Sequence, residues 1–180
     1  MTQKRYFVIL GIFLLSFCLF SGYAQQPESG DLYLTETRLF HIERSKNRNI
    51  VCYDLNPSLS GKPDEKEPVN VYWVNRETNP GQQSELSSIQ KKLAFGYTVV
   101  NKSDGAITIE INALKKRRVS IVQDEKANYF CRMEINSQSA VLRKIYVKTL
   151  ESNSMQVKYV DVSGNSLATG LPVTERIYRN

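Results

Sequence analysis

From Ala106 onward the chain alternates apolar and polar residues with a period of two, the signature of strands with one buried and one wet face. "AITIEIN" sets Ile107, Ile109 and Ile111 against Thr108, Glu110 and Asn112. "NYFCRMEIN" puts Tyr129, Cys131, Met133 and Ile135 on one side, with Arg132 and Glu134 on the other. "AVLRKIYVKTL" groups Val141, Ile145 and Val147 against Lys144, Tyr146 and Lys148. "RRVSIVQ" and "MQVKYVDVSG" continue in the same manner. The intervening links, "NKSDGA", "QDEKAN", "NSQS" and "SGNSLATG", are polar. Asp104-Gly105 is a hairpin signal, because Gly tolerates positive φ and Asp bonds its local backbone. Consecutive strands are therefore expected to be antiparallel neighbours.

The same logic applies to "FHIERSKNRNIVCYDLN", Phe40 to Asn56, which holds the chain's one histidine, His41, and Cys52. A turn at Lys46-Asn47 opposes Ile42 to Val51 and Phe40 to Tyr53, giving one coherent apolar face. His41 then falls opposite Cys52, on the other face. A turn of odd length mixes Phe40 with Asp54 and breaks the pattern.

One segment has helical spacing. "SELSSIQKKLAFGY" places Leu86, Ile89 and Leu93 on a narrow stripe. Ser84 is the expected N-cap, Lys91 and Lys92 suit the C-terminal dipole, and Gly96 is expected to end the helix in a left-handed conformation. The expected helix covers residues 85–95 and caps one face or open end of the sheet. "NPSLSGKPDEKEP", Asn56 to Pro68, is a long polar loop of the kind that includes lids and binding loops.

The fold expected is mainly β, an antiparallel sandwich or partly closed barrel of about eight to ten strands with that one α-helix. Its core is expected to hold Phe40, Ile42, Val51, Tyr53, Val71, Trp73, Ile107, Ile109, Ile111, Ile121, Ile145, Val147 and Val160. Residues 37–180 are read as a single domain, and 25–36 as a loosely attached lead-in.

The first residues read as a secretory leader. Lys4 and Arg5 precede the uncharged apolar run Phe7 to Phe20, and Gly22 and Ala24 supply small side chains at a cleavage site after Ala24. The apolar run is short for a membrane span. Phe17 before Cys18 does not suit lipoprotein processing. The chain is expected to be exported, periplasmic or extracellular, with no transmembrane segment after cleavage. Its net charge of +6 then directs attention to an anionic glycan, a lipid headgroup or an envelope protein, and no motif for nucleic acid is present.

Chemistry is sparse. One His and no CxxC argue against zinc, and no loop has the ligand pattern of a calcium site. No metal or cofactor is expected. There is no GxSxG elbow and no glycine-rich phosphate loop. Cys52 and Cys131 are either buried thiols or a disulfide formed in an oxidising compartment. The densest basic run, Lys115, Lys116, Arg117 and Arg118, sits between strands. It is either a solvated turn or, with Lys144, Tyr146 and Lys148, a ligand-binding anion patch. A thiol hydrolase or transferase built on Cys52 and His41 is the catalytic alternative. It lacks an oxyanion hole in the local sequence and requires a lowered thiol pKa.

The segments "LFHIERSKNRNIVCYDLN", "PVNVYWV", "ELSSIQKKLAFGY", "KIYVKTL" and "VDVSG…GLPVTERI" together resemble a domain-of-unknown-function family of exported bacterial proteins. The resemblance runs from Leu39 to Ile177 and implies a compact domain behind a signal peptide, with no activity attached. A lipocalin-like barrel is disfavoured, since Val71 stands where that family carries Gly before the Trp. The function expected is an exported, non-catalytic ligand- or partner-binding domain. The alternatives are the thiol enzyme and a small-molecule or lipid carrier with an apolar cavity between sheet and helix.

Overall fold

The computed structural model describes residues 35–103, 105–114 and 117–178. The expected leader, most of the lead-in and the Lys115–Lys116 pair lie outside the described residues. The strands are β1 (Arg38–Arg44), β2 (Asn47–Leu55), β3 (Val69–Val74), β4 (Gln83–Glu85), β5 (Tyr97–Ser103), β6 (Ala106–Ile111), β7 (Arg118–Gln123), β8 (Tyr129–Ile135), β9 (Gln138–Thr149), β10 (Val157–Ser166) and β11 (Pro172–Tyr178). A helical turn α1 (Ser88–Gln90), a π-turn (Lys91–Phe95) and a 3-10 turn (Asn112–Leu114) interrupt them.

The sheet runs β4-β3-β2-β1-β9-β8-β7-β6-β5, with β10 on β9 and β11 on β10. The long strand β9 organises it. Its start, Gln138 to Val141, pairs antiparallel with β8. Further along, Lys144 to Val147 pair parallel with β1. β10 follows the opposite edge, with partners from Ala140 to Thr149. β8 and β1 therefore share one edge of β9, and two wings, β1–β4 and β5–β8, depart from it. The sheet curls into a half-barrel. Its concave side buries one continuous core that draws on both wings, including Phe40, Val51 and Tyr53 from one and Ile109, Ile121 and Ile135 from the other. The parallel β1–β9 pair is the departure from an all-antiparallel expectation. It joins strands distant in sequence, and no turn signal announces such a pair.

The expected hairpins form: β5 pairs β6, β7 pairs β8, β8 pairs β9 and β10 pairs β11, all antiparallel. In the β8–β9 turn, Asn136 and Ser137 both take positive φ, 50° and 59°, as a turn matched to the strand twist requires. The β1–β2 register is the expected one through its centre, with Phe40 opposite Tyr53, His41 opposite Cys52 and Ile42 opposite Val51. Toward the turn the register shifts between Ile42 and Arg44, and Arg44 opposes Asn47. The turn thus falls at Ser45-Lys46, one residue earlier than expected.

The helical segment differs most from expectation. β4 occupies its first residues, and the N-cap is Ser87, closing a capping box with Gln90, rather than Ser84. The π-turn then adds a residue per turn and rotates the faces. Leu86 and Phe95 are buried, whereas Ile89 and Leu93 are 70% and 68% exposed, so the expected apolar stripe does not face the core. Gly96 is extended, at φ −69° and ψ 169°. Its lack of a Cβ matters for a different reason, since a Cβ there would run into the Lys91 carbonyl. The segment is anchored by aromatic contacts. Phe40 stacks on Tyr53 at 4.2 Å, the Tyr53 hydroxyl donates to the Phe95 carbonyl at 2.6 Å, and Trp73 meets the Phe95 ring edge-on at 5.3 Å.

Candidate functional site

The outward face of β1–β3 carries the candidate dyad. His41 and Cys52 are directly opposed, and Tyr72 of β3 is the next residue across from Cys52. Cys52 is fully buried, packed with Ile50 and Val74. Burial pushes its thiol up to about 12, which leaves almost no thiolate near neutral pH. Cys131 is also free and buried, but in the core on the concave side. The two cysteines lie in separate clusters and form no disulfide.

His41 turns instead toward Glu43. The Glu43 carboxylate has His41 Nε2 at 3.5 Å, Arg76 Nη1 at 3.1 Å and Lys144 Nζ at 3.6 Å. The His41 hydrogen bond, then Lys144 and Arg76, outweigh burial and hold this carboxyl down to about 2. A second cluster lies at the start of β1. Asp54, 6% exposed, accepts hydrogen bonds from Arg38 Nε, from Tyr72 Oη at 2.7 Å and from Thr35 Oγ1 at 3.0 Å. This is a satisfied buried ion pair, the arrangement in which such a pair is tolerated. Both clusters stitch strands together.

The described cations of the expected basic patch each have a carboxylate partner. Arg117 pairs with Glu175, Arg118 with Glu110, Lys144 with Glu43 and Lys148 with Glu151. Arg117 and Arg118 follow the 3-10 turn and open β7, while Lys144, Tyr146 and Lys148 lie on β9. Lys115 and Lys116 fall outside the described residues. Among the described residues, no group of three or more His, Cys, Asp or Glu side chains could hold a metal, and no helix is long and apolar enough to cross a membrane. The Asn56–Pro68 loop closes on itself, with Asn56 N–H donating to the Pro68 carbonyl at 2.9 Å and Asp64 N–H to the Asn56 carbonyl at 2.8 Å.

The concavity of the half-barrel holds an apolar site. A cleft of about 760 Å³ opens between the π-turn and strands β1, β9, β10 and β11. Val147, Val160 and Ile177 floor it from the sheet, and Leu93 and Leu114 face them from the helical turns. Met155, 79% exposed, and Tyr178, 63% exposed, stand at its margin. Val147 and Val160 were expected in the core. They are only half-buried because the helical segment covers the sheet incompletely at this end. Alternation shows which residues point inward, but not that the inward face goes unfilled. The misplaced stripe had the same cause, since the π-turn sends Leu93 into the cleft rather than the core. Two cations also line the cleft, Arg44 and Arg117.

A family model described as "Domain of unknown function (DUF4833)" matches residues 40–176. No curated protein and no solved structure matches the chain. The matched span contains nearly all of both wings, the whole of β9 and β10 and every cleft residue but Ile177 and Tyr178, and by it the chain belongs to the DUF4833 family.

Proposed function

We propose that this protein is a non-catalytic binding module that takes an apolar ligand in the concave cleft, in the exported compartment its leader points to. The observation that carries the reading is the set of half-buried aliphatic side chains on β9–β11 facing exposed Leu93 and Met155 across a concavity of about 760 Å³. That volume lies within the range of small-molecule sites, and their walls are mostly apolar as here. Large apolar side chains left exposed together on a folded chain are unfavourable unless something covers them. The thiol reading fares worse, because Cys52 is buried and its pKa is driven away from neutrality. The anion-patch reading fares worse too, because its described cations are each paired with a carboxylate.

The test uses N-phenyl-1-naphthylamine, a neutral dye that brightens in apolar sites. The wild-type protein should enhance its fluorescence saturably. A Leu93→Asp/Met155→Asp variant, altered only at exposed positions, should melt at the wild-type temperature and lose the enhancement. Equal dye binding by both proteins, or none by either, would remove the cleft as the site.

A further inference from the structure

Arg44 and Arg117 differ in one respect. Arg117 is paired with Glu175 and also donates to the Glu134 carbonyl. Arg44 has a single hydrogen bond, from Nη2 to the Ser154 carbonyl at 2.8 Å, and no carboxylate partner among the described residues. It is half-buried at the end of β1, beside Val147, and faces the same concavity as Ile42. A guanidinium has five N–H donors, so most of those on Arg44 remain available. A half-buried arginine with no carboxylate partner among the described residues, at the margin of an apolar cleft, favours an anion there.

We infer that the ligand is a single hydrocarbon chain ending in an anionic head, carboxylate or phosphate, and that Arg44 receives that head. This rests on the binding reading above and adds the ligand's chemistry. The chain lies against Val147, Val160 and Leu93, and the head takes a forked pair of hydrogen bonds from Arg44. The same guanidinium holds Ser154, next to Met155 at the cleft margin. Capture of a head therefore competes with, or shares, the bond that tethers the β9–β10 loop.

Displacement of N-phenyl-1-naphthylamine by decanoate, decyl phosphate and decanol at pH 8 separates the two readings. In the wild type, at least one anion should bind roughly ten-fold or more tightly than decanol, the factor expected of a charge-assisted hydrogen bond. Which anion prevails distinguishes a free fatty acid from a phosphate-headed lipid. In Arg44→Gln the anions should fall to the level of decanol, with decanol unchanged, and Arg44→Lys should keep part of the preference. If decanol and both anions compete equally in the wild type, the head inference fails and the apolar cleft stands. An anion preference that survives in Arg44→Gln also overturns it. If the dye itself is not bound, both readings fall together.

Discussion

Glu43 faces His41, Arg76 and Lys144, and its folded-state pKa lies near 2, below the ordinary 4.5. A carboxyl depressed by folding contributes stability that is fully present above its unfolded value and lost as pH falls through the folded one. The window here is pH 4.5 down to about 2. The side chain is 25% exposed, so solvent screening trims the full linkage value, and about 2 kcal/mol is a reasonable size. Glu43→Gln should therefore lower stability most above about pH 5, with the gap from wild type narrowing towards pH 2. Urea midpoints measured across that range check it, and a gap that stays constant with pH would refute it. Little of this was legible in the sequence. The hairpin register put His41 and Cys52 together correctly, and alternation sets His41 and Glu43 on one face of β1, but Glu43's other partners come from β9 and from the segment after β3. Alternation along one strand carries no information about which distant strand lies beside it.

Where the two wings diverge, β9 and β10 are both irregular. Ser163 pairs with Lys144 but Gly164 pairs with Leu142, so Arg143 is an extra residue on β9. β8 ends its pairing at Val141 and β1 begins at Lys144. The bulge falls between the two, and bulges bend and twist the strand that carries them. Gly164 makes the bend possible by letting β10 approach closely: a Cβ there would strike the Val141 carbonyl and come within 3.0 Å of Ile135 Cδ1. Gly164→Ala should cost about 2 kcal/mol or more, as overpacking does in a filled interior. Chemical denaturation reads this directly, and a change under about 0.5 kcal/mol would show that the approach is not tight. The Gly in "VDVSG" was legible as the end of a strand. Its real place is mid-strand at a fork, where the constraint comes from a carbonyl of the neighbouring strand. The strands from β6 to β11 were legible because each is joined to the next by a local turn. The fork was not, because it depends on β1 returning to β9 across most of the chain.

The half-barrel stays open between its terminal strands. β4 and β5 end the sheet path and do not pair with each other, and a groove of about 1000 Å³ with mixed polar and apolar walls lies between β3–β4 and β5. Lys102 of β5 reaches Glu65, in the loop that leads into β3, at 3.6 Å as an exposed ion pair of little weight, and Tyr97 makes the more sheltered link. The Tyr97 hydroxyl at the start of β5 donates to the Val69 carbonyl at 2.8 Å and accepts from the Val69 N–H at 3.1 Å. β4 pairs only with Tyr72, Trp73 and Val74, so the phenol stands in for the strand that would otherwise satisfy Val69. Beside that exposed ion pair, closure at this edge draws on one hydroxyl that uses both its donor and its acceptor capacity. Tyr97→Phe keeps the ring and removes the clasp, leaving both polar groups of a nearly buried residue, Val69 at 4% exposure, without that partner. The expected loss is about 1–3 kcal/mol. Its distribution is the sharper test. Hydrogen exchange should quicken at β3 and β4 amides, which depend on the clasp, while β9 and β10 amides, paired along the spine, keep their protection relative to global unfolding. A uniform change across all strands, or none at β3, would mean that the wings are held together by their shared core alone.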